Sequence, residues 1–231
     1  MRRRSTGPGE VTGEAVGEEG GELRVIAAYA AAAELGLIDE AELAAYGQNG
    51  SLVEAIGTER SPVLDYTCGS LGQGLSAAAG FALSDRLTGR PDVRTFAFVS
   101  DGELEEGQLW EAAMFAGHHR LSRLTVLVDA NNSQVDGPVD SITTIEPIIG
   151  KWRAFGWEAA ELDGHDADAV AAALAGAARA SRPQALVCRT STAHGLRCLP
   201  TGTDGHFIKL PAALAAQAID ELTLELARHD A

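Results

Sequence analysis

Two short apolar runs, separated by a segment of helix length, constrain this chain more than any other feature. Residues 95–99 (TFAFV) and 124–128 (LTVLV) are rich in β-branched and aromatic side chains, which is typical of buried parallel strands. Residues 108–119 between them can form one helix with a common apolar face, made of Leu109, Ala112, Ala113 and Ala116. The pattern predicts a strand–helix–strand unit.

The same alternation continues through the rest of the chain. Further strands are predicted at residues 157–162 and 183–189. Further helices are predicted at residues 22–37, 39–46, 147–155, 167–180 and 211–227. Residues 69–87 are predicted to begin with a glycine-rich turn and to continue as a helix. The sequence therefore predicts a single three-layer α/β domain over residues 22–231, with a mostly parallel sheet and helices on both faces.

Polar residues follow both of the first two strands. Asp101 and Gly102 follow residues 95–99 after the single residue Ser100, and Asn131 comes shortly after residues 124–128. Taken alone, residues 101–102 are better explained as a turn, and residues 131–132 as a loop. Together they lie at the carboxyl ends of adjacent strands, where such sheets bind ligands. Hard oxygen donors suit Mg²⁺ with phosphate oxygens, and a glycine lets a diphosphate approach the backbone, so we predict a metal–diphosphate site here.

The sequence around these residues resembles the transketolase family. Residues 69–76 (GSLGQGLS) are similar to its cofactor loop, and residues 101–112 (DGELEEGQLWEA) are similar to its metal loop and the following helix. Residues 151–157 and 163–166 resemble its downstream signature. The chain looks most like the N-terminal, diphosphate-binding subunit of a transketolase that is split into two chains.

The resemblance implies a cofactor and its ligands. The cofactor would be thiamine diphosphate with Mg²⁺ or Ca²⁺. The metal would be held by Asp101, Asn131 and the backbone carbonyl of Ser133. Gly102 and Glu103 would lie against the diphosphate. Ser100 stands where family members commonly have glycine, a change that we expect to be tolerated.

The resemblance also assigns residues around the cofactor rings. Gly69 and Leu71 would face the aminopyrimidine and the thiazolium, and Val135 would cover the thiazolium from the other side. The alternative for Leu71 and Val135 is ordinary core packing, which their spacing alone favours.

Two further residues are catalytic candidates through the resemblance. Glu106 matches a glutamate that meets the catalytic glutamate of the partner, although it could equally be a solvated first-turn residue. His206 lies where the family has a histidine near the diphosphate and the substrate, and histidine exchanges protons near neutral pH. The remaining histidines receive lesser assignments: His194 as a second candidate, His165 as structural, and His118 and His119 as surface or C-cap residues.

Departures from the family pattern concern the substrate side of the site. The chain has no counterpart of a Gly-His-Pro-Gly-like segment near the start. Two family histidines would align near Leu23 and Ile56, and neither leucine nor isoleucine can transfer a proton. The resemblance thus implies retained cofactor binding with a remodelled sugar site, and leaves open a non-catalytic subunit.

A second chain is expected to complete the enzyme. The resemblance implies that the glutamate that activates the cofactor belongs to a pyrimidine-binding domain, and no second α/β domain is predicted here. We expect a C-terminal transketolase-like partner subunit in an α2β2 heterotetramer that transfers a two-carbon ketol unit from a ketose or 2-oxo acid donor, in specialised biosynthesis. The α subunit of a 2-oxo acid decarboxylating complex is the alternative enzyme, and a generic nucleotide-binding domain has no supporting motif.

Composition narrows the partners further. A net charge of −15 disfavours nucleic acid and anionic membranes as partners.

Three cysteines, without a Cys-x-x-Cys pair, indicate a reduced, cytoplasmic chain. Residues 1–21 are rich in glycine and glutamate and have no apolar core of a signal peptide, so we expect a disordered arm.

Overall fold

Within the residues that the structure describes, the sheet has six strands, all parallel. The computed structural model describes residues 13–18, 23–54, 60–200, 203, 205, 206 and 208–229. The strands are β1 (Gly13–Glu18), β2 (Tyr66–Cys68), β3 (Arg94–Ser100), β4 (Leu124–Ala130), β5 (Glu158–Asp163) and β6 (Gln184–Arg189). They lie in the order β2-β1-β3-β4-β6-β5, and the parallel pairing is what the alternation of strands and helices predicts.

The described residues also contain eight α-helices and one 3-10 helix, and all but the last α-helix lie between strands. They are α1 (Leu23–Glu34), α2 (Glu40–Ala44), α3 (Gly74–Leu87), α4 (Gly107–His118), α5 (Val139–Ile142), α6 (Ile148–Ala154), α7 (Ala167–Ala177), α8 (Ala212–His229) and the 3-10 helix Gly102–Glu105. Of these, the 3-10 helix was predicted as a turn, and α5 was not predicted. None of the helices in the described part of the chain has the length and hydropathy that crossing a membrane requires.

The helices lie on both faces of the sheet. The crossovers through α3, α4 and α6 advance in one direction along the sheet, so right-handed connections place these helices on one face. The crossover from β5 to β6 runs the other way, which places α7 on the opposite face. The three-layer prediction is therefore confirmed.

The central strands β3 and β4 carry the core. Alternate residues of β3, Thr95, Ala97 and Val99, are buried toward α3 and α4, and β4 is buried along most of its length. In the register of the pair, Ser100 lies opposite Asp129. The polar residues that follow the two strands are therefore neighbours at the carboxyl edge of the sheet.

The prediction of a disordered arm over residues 1–21 is wrong for Gly13–Glu18, which forms strand β1 between β2 and β3. A parallel strand is held by backbone hydrogen bonds, and these do not require an apolar sequence. The segment GEAVGE has neither an apolar run nor alternation, so its pattern did not indicate a strand. Residues 1–12 and 19–21 lie outside the described part of the chain.

A contact between α4 and the turn after α6 fixes the position of α4. The indole N–H of Trp157 donates a hydrogen bond of 2.8 Å to the carbonyl oxygen of Ala113. Gly117 packs against the backbone of Phe155 so closely that a Cβ would lie 3.0 Å from the carbonyl carbon. Because α4 begins directly after the polar turn at the end of β3, this packing also positions the candidate site.

Candidate functional site at the carboxyl edge of the sheet

The turn that follows β3 is built around the carboxylate of Asp101. This side chain is buried, and its Oδ1 accepts a hydrogen bond of 2.9 Å from the backbone N–H of Gly102. Its Oδ2 accepts a bond of 2.5 Å from the backbone N–H of Asn132, in the loop after β4. Asp101 therefore ties together the two strand ends that the sequence singled out.

Asn131 lies on the neighbouring strand end, and its amide orientation is fixed from both sides. Its Nδ2 donates to Asp129 at 2.8 Å, and its Oδ1 accepts from the backbone N–H of Ser133 at 2.8 Å. The carboxylate of Asp129 also accepts a hydrogen bond from the hydroxyl of Thr190, the residue directly after β6. The structure thus brings Asp101, Asn131 and Ser133 together at one edge.

These residues fit a divalent cation that is shared with a ligand. Asp101 and Asn131 offer hard oxygen donors, and Mg²⁺ is commonly held by one or two such protein groups with phosphate oxygens and water. No group of three His, Cys, Asp or Glu side chains within the described residues is arranged to hold a metal by itself. A cation here would therefore draw the rest of its shell from the Ser133 carbonyl and from a bound ligand.

The glycine loop, residues 69–74, lies against the start of α4. The backbone N–H of Gly72 donates to Oε1 of Glu103 at 2.8 Å, and the carbonyl oxygen of Leu71 accepts from Nε2 of Gln108 at 2.7 Å. Gly72 has a φ of +83°, which favours glycine. A Cβ at Gly72 would lie 2.8 Å from Cγ of Gln108, so the loop makes a close backbone approach to the helix.

Glu103 occupies a position that the resemblance did not predict. Its side chain is 0% exposed, and its Oε2 accepts from the backbone N–H of Ser100 at 3.3 Å. Burial raises its pKa to about 7, against the lowering effect of the hydrogen bonds from Gly72 and Ser100, and the charge of Glu106 raises it further. A fully buried carboxylate cannot lie against a diphosphate, so the expected contact is wrong for this side chain.

Ser100 and Glu103 form a reciprocal pair of the capping-box type. The backbone N–H of Glu103 donates to Oγ of Ser100 at 3.0 Å, while Glu103 accepts from the N–H of Ser100. From the family resemblance, serine in place of glycine at position 100 was expected only to be tolerated. The Ser-x-x-Glu spacing is the signal that could have found the pair.

The residues assigned to the cofactor rings line the same edge with different exposures. Gly69 is exposed and Leu71 is half-buried. Val135 is 66% exposed, so core packing is wrong for this residue. Because Val135 is exposed beside the turn, its role in covering the thiazolium stays a prediction.

Glu106 is exposed at the beginning of α4, where it is the N-cap residue without a side-chain capping bond. This position suits either reading of the sequence, a glutamate that faces a partner or a solvated one. The role of Glu106 at an interface stays a prediction.

The histidines occupy separate positions. His206 is half-buried in the segment after β6, where a Cβ at the adjacent Gly205 would lie 2.6 Å from Oγ1 of Thr192. His165 and His194 are stacked with ring centroids 3.6 Å apart, and Nε2 of His165 accepts from the N–H of Ser191 at 2.9 Å. Burial and the neighbouring His194 lower the pKa of His165, against the raising effect of nearby carboxylates.

The structure describes some of the remaining residues that the sequence analysis singled out. His119 is the C-cap residue of α4 and His118 is exposed, as expected. Leu23 is the first residue of α1, and nothing is described of its side chain. Ile56 lies outside the described residues.

Comparison with known proteins relates the chain to transketolases. Residues 37–228 match the family described as the thiamine diphosphate binding domain of transketolase. The chain is 40% identical over 167 residues to the 6-deoxy-6-sulfo-D-fructose transketolase subunit SqwG of Clostridium sp. (strain MSTE9), covering 72% of this chain and 60% of that protein. It is 31% identical over 194 residues to human transketolase, covering 84% of this chain and 31% of that protein.

Solved structures resemble the fold. Transketolase from Campylobacter jejuni superposes with a TM-score of 0.79 at 24% identity, over 90% of this chain and 34% of that one. The chain therefore spans less than two thirds of the length of these relatives.

Proposed function

The chain belongs to the transketolase family through its thiamine diphosphate-binding domain, and from this membership we propose that it is the cofactor-binding subunit of a two-component ketol transferase. The enzyme would move a two-carbon ketol unit from a donor to an acceptor. Thiamine diphosphate is the cofactor, and Mg²⁺ or Ca²⁺ is the proposed metal.

One observation carries this proposal: Asp101 and Asn131 follow adjacent strands, β3 and β4, and Asp101 is hydrogen-bonded to the loop that contains Asn131. The glycine loop is bonded to the same turn through Glu103. Besides the buried Glu103, three carboxyl groups stand in and beside this turn: Asp101, Glu105 and Glu106. A diphosphate would be repelled by such a field unless a cation lay between them. The acidic turn therefore supports metal-dependent diphosphate binding.

The cofactor would supply the carbanion chemistry. The residues of this chain would bind the cofactor and its metal and orient them. Asp101, Asn131 and the Ser133 carbonyl would hold the metal, Gly102 would lie against the diphosphate, and residues 69–71 with Val135 would enclose the rings. His206 would exchange a proton with the substrate, because histidine is suited to both directions near neutral pH.

A partner subunit with a pyrimidine-binding domain is part of the proposal. The chain spans 60% of a relative that is itself named a subunit, and about a third of human transketolase. Glu106 is exposed at the start of α4, where it can meet the catalytic glutamate of the partner. We propose an α2β2 assembly in the cytoplasm, a ketose or 2-oxo acid donor, and a role in specialised biosynthesis. The name of the SqwG relative favours a ketose donor for this chain.

The test is a calorimetric titration of thiamine diphosphate with Mg²⁺, on the chain alone and on the complex with the candidate partner. The proposal expects tight binding in the complex and weak binding or none by the chain alone. Absence of binding in both would contradict it and favour a non-catalytic subunit. Tight binding by the chain alone would contradict the shared site.

Replacement of His206 by alanine is expected to lower kcat of the complex by roughly 100-fold, the lower range for a lost general acid or base. Unfolding should change little, because the side chain is only half-buried. Steady-state kinetics and thermal unfolding check both parts. The control is His118→Ala, which removes an exposed histidine at the far end of α4. An unchanged kcat would assign His206 to structure.

A further inference from the structure

We propose that Glu103 and Gln108 are positioning residues that lock the peptide unit between Leu71 and Gly72, and that this lock preorganises the glycine loop for the cofactor. The inference rests on the proposed function, since it concerns the same site. Neither side chain is asked to touch the cofactor.

The two side chains hold opposite ends of a single peptide group. The N–H of Gly72 donates to Glu103 at 2.8 Å, and the carbonyl of Leu71 accepts from Gln108 at 2.7 Å. Because both atoms belong to one planar unit, the two bonds together fix its rotation about the chain axis. Rotating this peptide would break both bonds at once.

A lock is needed at this point because Gly72 does not restrain the loop. Its φ is +83°, and glycine adopts positive and negative φ about equally readily. A β-carbon cannot replace the lock, since it would lie 2.8 Å from Cγ of Gln108 and 2.9 Å from Cβ of Glu106. The close approach requires glycine, and glycine requires an external restraint.

Glu103 can act as that restraint because it is itself held rigidly. It is fully buried, and it exchanges hydrogen bonds with Ser100 in both directions. Ser100 lies at the end of β3, directly before Asp101. The chain of bonds therefore runs from the metal turn through Glu103 to the glycine loop, and sets the separation of the two.

Gln108, in the first turn of α4, makes the second of the two hydrogen bonds that hold the peptide. An amide N–H can serve the Leu71 carbonyl, which a carboxylate could not do. Conversely, the two oxygens of Glu103 each face a backbone N–H donor, of Gly72 and of Ser100, so an amide there would set its own donor against one of them. The acid and the amide are not interchangeable at these two positions.

The experiment compares Glu103→Gln, Gln108→Met and the double variant with the wild-type chain. Hydrogen exchange of the segment 69–74 is measured by mass spectrometry on the free chain. Thiamine diphosphate with Mg²⁺ is titrated into the complex with the partner, and kinetics are followed against cofactor concentration. Glu40→Gln, which alters an exposed carboxylate on α2, is the matched control.

Each single variant is expected to accelerate exchange of segment 69–74 and to raise the apparent KM for thiamine diphosphate roughly tenfold, as one lost strong hydrogen bond implies. The rise in KM should exceed the fall in kcat. The double variant should lose less than the sum of the singles, because both act on one peptide. Glu40→Gln should match the wild type.

Unchanged exchange of segment 69–74 in both single variants would overturn the lock. Faster exchange with unchanged cofactor affinity would overturn its role in preorganisation. If Glu103→Gln does not fold, Gln108→Met decides, because it keeps the side-chain volume on the half-buried face of α4. If the wild-type complex binds no thiamine diphosphate, the proposed function and preorganisation both fail, while exchange on the free chain still decides whether the peptide is locked.

Discussion

Replacement of Asp101 by alanine is expected to abolish metal-dependent binding of thiamine diphosphate by the complex. Loss of a group that only orients a metal ligand typically costs 10- to 100-fold in affinity, so loss of a direct ligand should cost at least about 100-fold. The change also removes the acceptor for the N–H groups of Gly102 and Asn132, which lets the two strand ends separate. Calorimetric titration with Mg²⁺ and thiamine diphosphate measures the effect.

Two further variants distinguish a loss of metal binding from a loss of stability. Asp101→Asn keeps an oxygen acceptor while it removes the charge, so it should retain more stability than alanine and still lose most of the affinity. Asp168→Ala makes the same change at an exposed aspartate on α7 and should bind like the wild type. Retained affinity in Asp101→Ala would show that the metal is held elsewhere.

The parts of the fold that were predicted from sequence are those where burial and secondary structure coincide. The strands β3 and β4 are apolar because the core covers them, and α4 shows its buried face in the spacing of its alanines. Strand β1 was missed, since it reads GEAVGE and is recognised only by the strands that pair with it. Its assignment depends on tertiary pairing, which no local pattern reports.

The candidate site divides in the same way. Asp101 and Asn131 were predicted because each follows a recognisable strand, and parallel strands place their carboxyl ends together. The contact between Glu103 and Gly72 joins residues far apart in the chain, through a loop without periodicity. Family resemblance placed Glu103 beside the diphosphate from its position in the motif, but burial decided the direction of its side chain.

Replacement of Gly117 by alanine is expected to destabilise the chain by about 1–3 kcal/mol, the range for overpacking a rigid contact. The new methyl group would overlap the carbonyl oxygen of Phe155 and lie 3.4 Å from Cδ1 of Trp157. Backbone cannot give way as a flexible side chain can, so α4 would have to shift away from the turn that precedes β5.

Gly80→Ala is the matched control, because Gly80 lies within helix α3 and a β-carbon added there would meet nothing within 4 Å. That variant should gain about 0.5–1 kcal/mol, since alanine is the better helix former. Urea unfolding followed by circular dichroism compares both with the wild type. Because α4 also carries Gln108, Gly117→Ala should weaken cofactor binding by the complex, whereas Gly80→Ala should not. Equal stability of the two variants would contradict the close packing of α4 on the turn.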